Sequence, residues 1–505
     1  MVFGEAGYSI KVPDIEVGDK IEADLVIIGG GGAGLPAALK AREEGVQRVV
    51  VLEKRFAPGG DALRCNHIFA CESPLQKRLG SIVTRDDIFR QALEFHHYRV
   101  NPSVLRTLIN QTSDSIEWLE GKGVQFKLLL MGKDIKTATT HVEKDMPEPD
   151  SLCSLGKVFR LLIQKSIDAG VQYLVRTSGK KILRGEDGRV TGVLAEMRDG
   201  RRIEIMTKAV ILCPGSFVGN KEMLKKYFPN EYDEIYYTDA LLSNVGDGLH
   251  IAADAGAAMS DSCALIRHAY SFRTLVNFRH ENLPPSAILV NKKGQRYIDE
   301  GVRETGANVL IQQPEKVAYY LADDKVIQSV IDRGSIPVQY SSRLPTPFEK
   351  LPDIVTDFRK YLNVRVKEGW VKIADTWDDI AGWIGCDPEN LKKTINRYNW
   401  FCDRGYDEDF AKDKKYLMPL RTPPYYAVHV RPLMIETIGP VIINENMEVL
   451  DKENKPIPGF YAAGVITSGW VGSDYGGTPN GTALSFSIGS GLIAARSAAG
   501  YLTAR

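Results

Sequence analysis

An α/β fold is what this sequence predicts, and three observations carry the prediction. Residues 24–28 (DLVII) form a short buried-strand pattern, GGGGAG follows directly, and LPAALKAREEG has helical periodicity closed by a glycine. VVVLEK at 49–54 is a second apolar strand ending in an acid, completing a βαβ unit of the length a parallel sheet needs. Strand patterns, a glycine-rich loop and a helix (ALSFSIGSGLIAARSAAGYL) return at the other end of the chain. The two ends read as halves of one α/β domain, interrupted by a second domain.

Between the ends, NPSVLRTLINQTSDSIEWLEGK (101–122) and GKVFRLLIQKSIDA (156–169) have the spacing of amphipathic helices. Alternating strand patterns follow in VQYLVRT, KKILRGEDGRVTGVLAE and RRIEIMTKAVILCPG, with a turn expected at DGR, 187–189. Composition changes after SNVGDGLHIAADAGAAM. From roughly 265 to 415 charge, aromatics and proline increase, and helices separated by loops are expected. IADTWDDIAGWIG and DPENLKKTINRYNWFCDRG both read as helical, the second with Asp387 as N-cap and Pro388 in its first turn. Apolar strand patterns resume in VIINENMEVL and GFYAAGV. The expected organisation is a first part of the dinucleotide domain at 1–264, an inserted domain at 265–415, and the remainder of the first domain at 416–505.

The 505 residues suit two or three domains, and 44% apolar with 25% charged residues is ordinary for a globular chain. Lys+Arg and Asp+Glu both number 64, so no net field favours nucleic acid or an anionic membrane. The seven cysteines are scattered with no CxxC, which argues against zinc, iron–sulfur and covalent haem sites and for reduced thiols. Cys213 and Cys263 lie in apolar runs and are expected in the core. The opening MVFGEAGYSIKVPD has no basic region followed by an apolar stretch, and no run reaches the ~18 apolar residues that span a bilayer. The expectation is a cytoplasmic protein without membrane insertion.

Gly29, Gly31 and Gly34 satisfy GxGxxG directly after a strand and before a helix. The first glycine suits a tight turn, the second close approach of a pyrophosphate, and the third close packing of helix on strand. Glu53 ends the next strand 24 residues after Gly29, which suits a hydrogen bond to an adenosine ribose. Lys54 follows, and PGGDAL at 58–63 supplies a second loop near the nucleotide.

With IIGGGGAG, LEK…PGGDA, KAVILCPGSFVGNKEM, VGDGLHIAADAGAAM, ILVNKKGQRYIDE, PPYYA, ETIGPVIINENMEVLDKENKPIPGFYAAG and TALSFSIGSGLIAA in one order, the chain resembles the fumarate reductase/succinate dehydrogenase flavoprotein family. Relatives in that family include urocanate reductases and ketosteroid dehydrogenases, and the resemblance covers nearly the full length. It implies a Rossmann-like FAD-binding domain with an inserted α+β capping domain, and a flavin exchanging hydride with a carbon–carbon bond beside an activating group. The cofactor contacts it implies are Gly29, Gly31, Gly32, Ala33, Gly34, Glu53, Lys54, Gly60, Asp61, Ala62, Gly464, Ala483 and Leu484. The last helix should begin near Thr482 or Ala483, its positive end towards the flavin.

Several positions depart from that family. Asp61 stands where respiratory members link flavin through a histidine, so non-covalent FAD is expected. Cys65-Asn66-His67 replaces a small Ser-Gly-Gly turn, which brings His67 towards flavin or substrate, or into a structural hydrogen bond. Dicarboxylate reductases hold a substrate carboxylate with a histidine and an arginine, and Glu436 and Asp474 occupy those places here. Two acids repel an anion, so fumarate and succinate are poor candidates. His268 falls near another substrate histidine of the family. The family's proton donor corresponds to Arg303, with a spacing one residue short, and Tyr297 and Tyr475 are the alternatives. The expected activity is FAD-dependent reduction of a C=C bond conjugated to a carbonyl, in an enone or enoate unlike fumarate. A ketosteroid-type dehydrogenase, or a flavoprotein subunit of a larger respiratory complex, is the alternative. A single dinucleotide fingerprint implies electron exchange with another protein or a small carrier, and the oligomeric state is open.

Overall fold

The computed structural model describes residues 12, 18–130, 135–145, 155–229, 236–237, 243–270, 286–301, 306–332 and 358–504. Strand β1 (Leu25–Ile28) and strand β2 (Val49–Glu53) flank helix α1 (Gly34–Glu43), and all nine strand residues are buried. That is the pattern of strands covered on both faces. β3 (Gln172–Val175) and β4 (Ala209–Leu212) extend the sheet, which then waits for the other end of the chain. β5 (Ala264–Tyr270) and β6 (Tyr425–Ile438) pair with each other elsewhere. β7 (Glu448–Leu450) and β8 (Pro456–Ala462) complete the first sheet in the order β7-β8-β4-β1-β2-β3, parallel except for the β7–β8 hairpin.

Helices cover this sheet. α2 (Arg85–Phe95) and α3 (Pro102–Gly121) carry side-chain N-caps at Thr84 and Asn101, α4 (Leu155–Asp168) packs on α1, and α5 (Thr482–Thr503) packs on both α1 and α3. The long Ala- and Gly-rich α5 comes very close to α1. A Cβ on Gly491 would stand 2.3 Å from the Ala33 carbonyl oxygen. The strand patterns after residue 170 divide between two sheets. Gln172–Val175 and Ala209–Leu212 join the parallel sheet, while Thr177–Arg184, Val190–Met197, Arg202–Met206 and Lys20–Glu22 form a separate one. Cys213 and Cys263 are buried in the first core.

A second apolar core draws on Ala287 to Val430. β6 joins the two cores, since Ala427, Val428 and Val430 belong to the second, and Met434 and Ile438 to the first. The inserted segment is not only helices and loops. Ile288–Asn291, Ala318–Ala322 and Val371–Ala374 are strands, the last replacing the start of the helix expected at IADTWDDIAGWIG, which begins at Trp377 behind the cap Thr376. Ile288–Asn291 and Ala318–Ala322 are fully buried runs, with no alternation to distinguish strand from helix. Conversely, VIINENMEVL yields only the strand at 448–450, with Val441 and Ile443 in single bridges.

Four charged side chains meet in a buried cluster beside the second core. Arg296 Nη2 lies 2.9 Å from both Glu300 Oε2 and Asp407 Oδ2, and Lys412 Nζ lies 2.9 Å from Glu300 Oε2. Glu300 also accepts from the Leu289 N–H at 2.9 Å, and the Arg296 guanidinium lies over the Tyr398 and Phe410 rings. Among the described residues, no helix is long and apolar enough to cross a membrane.

Candidate active site

A cleft runs along the C-terminal ends of β1, β2 and β4, where ligands bind in open α/β sheets. It encloses about 1260 Å³, its solvent-filled mouth included. Of the thirteen residues anticipated at the cofactor, twelve line it: Gly29, Gly31, Gly32, Ala33, Glu53, Lys54, Gly60, Asp61, Ala62, Gly464, Ala483 and Leu484.

The thirteenth, Gly34, lies behind the wall, where a Cβ would fall 1.8 Å from the Gly29 carbonyl oxygen. Gly29 adopts φ +106°, with the Cys213 carbonyl 2.2 Å from where its Cβ would be. Both are therefore packing glycines. Gly31 is different: nothing lies within 4 Å of a Cβ placed there. Its backbone faces open space, the cradle that a pyrophosphate requires, so the residues present fit FAD.

Glu53 sits buried at the floor of this cradle. One carboxylate oxygen accepts from the Gly30 N–H at 3.1 Å, the other from the Arg55 N–H at 2.9 Å. Burial pushes its carboxyl pKa up, against the pull of those two bonds. Each oxygen keeps a further lone pair for a ribose hydroxyl. Lys54 bonds Asp247 at 3.0 Å, and Asp61 accepts from Asn244 Nδ2 at 2.8 Å. Sequence reasoning missed Asn244 and Asp247, together with Thr177–Gly179 and Cys213–Gly215, all on the cleft wall. The VGDG motif was the available signal, because Gly246 in the left-handed region starts the helix Asp247–Asp254.

From the β5–β6 ladder the cleft is lined by Ile266, Ile435 and Glu436. A bulge in the β5–β6 ladder, between Ile266 and Arg267, lets consecutive Ile435 and Glu436 both face the cleft. The glycine loop before α5 runs beside β5, with Asp474 bridged to Leu265. Asp474 is not the uncompensated acid that the sequence suggested. Its Oδ1 is 2.7 Å from Arg267 Nη2, and Arg267 Nε donates to Asn308 Oδ1 at 2.8 Å. A partner 207 residues away cannot be read from local spacing.

Tyr475 packs on the first core, and its hydroxyl oxygen accepts from the Ala483 N–H at 3.1 Å in the first turn of α5. The next two glycines are demanded by Phe95, whose side chain lies 2.6 and 2.4 Å from where Cβ atoms of Gly476 and Gly477 would stand. His96 supports the same loop, its Nδ1 accepting from the Gly472 N–H at 3.2 Å. Burial pulls its pKa down to about 4, outweighing the nearby Asp474. The loop's support is thus a neutral imidazole throughout the neutral range.

His67 stands beside Gly481, the residue that starts α5, while its neighbour Cys65 lines the cleft. Tyr297 is not brought to the cleft. It packs against the second core, where burial and then the nearby Tyr320 and Glu300 raise its pKa well above the ordinary phenol value. Arg303 lies outside the described residues. His268 pairs through its backbone with Leu433, and its side chain also lies outside them.

Comparison with known proteins agrees with this geometry. The chain is 28% identical to vinyl phenol reductase of Lactiplantibacillus plantarum over 95% of its own length and 96% of that protein's. It is 27% identical to a fumarate reductase (cytochrome) of Shewanella frigidimarina, over 95% and 77% of the two chains. The 3-ketosteroid-Δ4-(5α)-dehydrogenase of Rhodococcus jostii RHA1, solved with 4-androstene-3,17-dione, superposes with a TM-score of 0.75 at 21% identity, over 95% and 97%, a likeness of fold. A family model described as FAD binding domain matches residues 24–481. The glycine cradle, the buried Glu53 beside it and this match together establish that the chain belongs to the FAD binding domain family of fumarate reductase-like flavoproteins and is an FAD-dependent oxidoreductase acting on CH–CH groups.

Proposed function

We propose that the protein reduces a C=C bond conjugated to a carbonyl, in an enone or enoate that carries no second carboxylate. One observation carries the reading. The only cations lining the cleft among the described residues, Lys54 and Arg55, adjoin Glu53 in the chain, while the β5–β6 ladder presents Ile266, Ile435 and the buried Glu436. Loss of a cationic partner for a bound carboxylate costs a few kcal/mol, about a hundredfold or more in affinity. A vinyl phenol, named in one relative, is an alkene with no carboxylate.

Bound FAD supplies the hydride. Ile266 and Ile435 exclude water from the substrate alkene, and Glu436 takes a hydrogen-bond donor of the substrate. The proton for the carbon α to the carbonyl comes from Arg303 or from the Tyr475 hydroxyl, whose oxygen already accepts from Ala483. The Tyr475-Gly476-Gly477 sequence also favours a second reading, a ketosteroid-type desaturase running in the oxidative direction. Electrons exchange with a separate protein or a small carrier.

The test is anaerobic reoxidation of the photoreduced enzyme against neutral enones, a vinyl phenol, mono-enoates and fumarate. Fumarate should turn over at most about one-hundredth as efficiently as the best neutral alkene. Comparable fumarate turnover would sink the reading, and oxidation of a saturated 3-ketosteroid faster than any reduction would favour the desaturase. A separate expectation concerns the linkage: acid precipitation should release the flavin into the supernatant, because a carboxylate, Asp61, stands at the linkage position. Flavin that stays with the pellet would contradict this.

A further inference from the structure

The glycine loop before α5 is gripped by the end of α2 and the turn that follows it. The Asn101 N–H donates to the Gly469 carbonyl at 2.8 Å, and His96 Nδ1 accepts from the Gly472 N–H at 3.2 Å. The Phe95 side chain fills the space beside Gly476 and Gly477. His96 is 5% exposed, and its ring meets that of Phe95 edge to face, with centroids 5.1 Å apart. Because Nδ1 accepts, the proton of this neutral ring is on Nε2, and that buried nitrogen has no partner. An orphaned donor weakens a fold, so packing alone does not account for an imidazole here. What the ring contributes is its Nδ1 acceptor. Three residues beyond Gly472, the Tyr475 hydroxyl accepts from the N–H of Ala483, which lines the cleft.

We infer that His96 is a positioning residue for the reaction, seating the loop so that the Tyr475 hydroxyl reaches the first turn of α5 at the cleft wall. The inference rests on the reading of Tyr475 as a proton source, and it assigns the placement of that hydroxyl to a side chain that does not itself line the cleft. Arg267 holds Asp474 from β5, and His96 holds Gly472 from the end of α2, so the tyrosine is set between two supports. On its other side Gly476 and Gly477 lie against Phe95, which leaves no room for the chain to slide. Loss of the Nδ1 acceptor frees the Gly472 amide and lets the stretch before Tyr475 shift. A displacement of about 1 Å in a reacting group is enough to cost on the order of a hundredfold in rate.

The test compares His96→Leu, which removes the acceptor and keeps apolar bulk, with His96→Asn, whose Oδ1 takes the place of Nδ1. Each full chain is loaded with FAD and photoreduced, and its reoxidation by a saturating concentration of the fastest neutral alkene of the panel is followed in a single turnover. His96→Leu should hold FAD and unfold in urea no earlier than the parent protein, yet reoxidise about tenfold or more slowly. His96→Asn should stay within about twofold of the parent. In a Tyr475→Phe background His96→Leu should cost nothing further, because the hydroxyl it places is gone. Hydrogen–deuterium exchange over residues 469–481 gives a readout without turnover, faster in His96→Leu and restored in His96→Asn. Unchanged reoxidation and exchange in His96→Leu would overturn the inference, and so would an equal loss in the Tyr475→Phe background. A His96→Leu chain that unfolds or sheds FAD would make His96 structural and overturn it too. With a slow Tyr475→Phe, each of these results leaves the reading of Tyr475 intact, whereas an unchanged rate in Tyr475→Phe would overturn that reading and the inference with it.

Discussion

Gly34→Ala should yield a chain that retains little FAD and is less stable by ~3 kcal/mol or more. The added methyl would lie 1.8 Å from the Gly29 carbonyl oxygen and 3.2 Å from Cys213 Sγ. Neither neighbour can withdraw, because Gly29 belongs to the turn and Cys213 to the end of the central strand. Overpacking a close-packed site typically costs 1–3 kcal/mol, and a contact with backbone falls at or above the top of that range. Relief requires α1 to move off the sheet, which removes the helix N-terminus from the cradle as well. The flavin-to-protein absorbance ratio and thermal unfolding report the two effects. Gly31→Ala is the informative comparison, since its methyl meets no atom within 4 Å. That variant should fold normally and lose FAD affinity, because the space it fills is the cofactor's. Full flavin content in Gly34→Ala would show that the helix tolerates displacement.

The second large effect is expected in the cap. Lys412→Met should destabilise it by about 3–5 kcal/mol, because Glu300 and Asp407 would then share one cation in a buried site. Burial pushes the Glu300 carboxyl up, but Lys412 and Arg296 outweigh it and hold the group below its ordinary 4.5. A carboxyl held down in the folded state lends stability that is present above that ordinary value and lost as pH falls through the folded one. The cap of the native protein should therefore loosen only in acid, below about pH 4.5, whereas Lys412→Met should be weak at neutral pH. Urea unfolding followed by tryptophan fluorescence measures this, with Trp370, Trp377, Trp383 and Trp400 in the cap region and Trp118 and Trp470 outside it. Adding Glu300→Gln to Lys412→Met should restore part of the loss. An unchanged midpoint in Lys412→Met would mean that water or a rearranged Arg296 satisfies the two acids.

The sequence by itself determined the dinucleotide unit and its boundaries almost to the residue. Strand, glycine turn, helix and acid lie within 30 residues, and each is dictated by local physics: φ at Gly29, steric room at Gly34, and apolar continuity in Leu25–Ile28 and Val49–Glu53. The α5 helix and its glycine start were legible for the same reason. Strands within the cap were not, because short, fully buried runs such as Ala318–Ala322 carry no period. Tyr297 followed them into the second core for a reason no local pattern contains. The charge at the substrate end was also left to tertiary structure. Glu436 could be placed at the cleft from its motif, but the meaning of Asp474 depended on Arg267, and that of Asp61 on Asn244, 207 and 183 residues away. A side chain's charge is written in the sequence. Whether that charge is exposed, cancelled or held ready depends on which distant strand the sheet brings beside it.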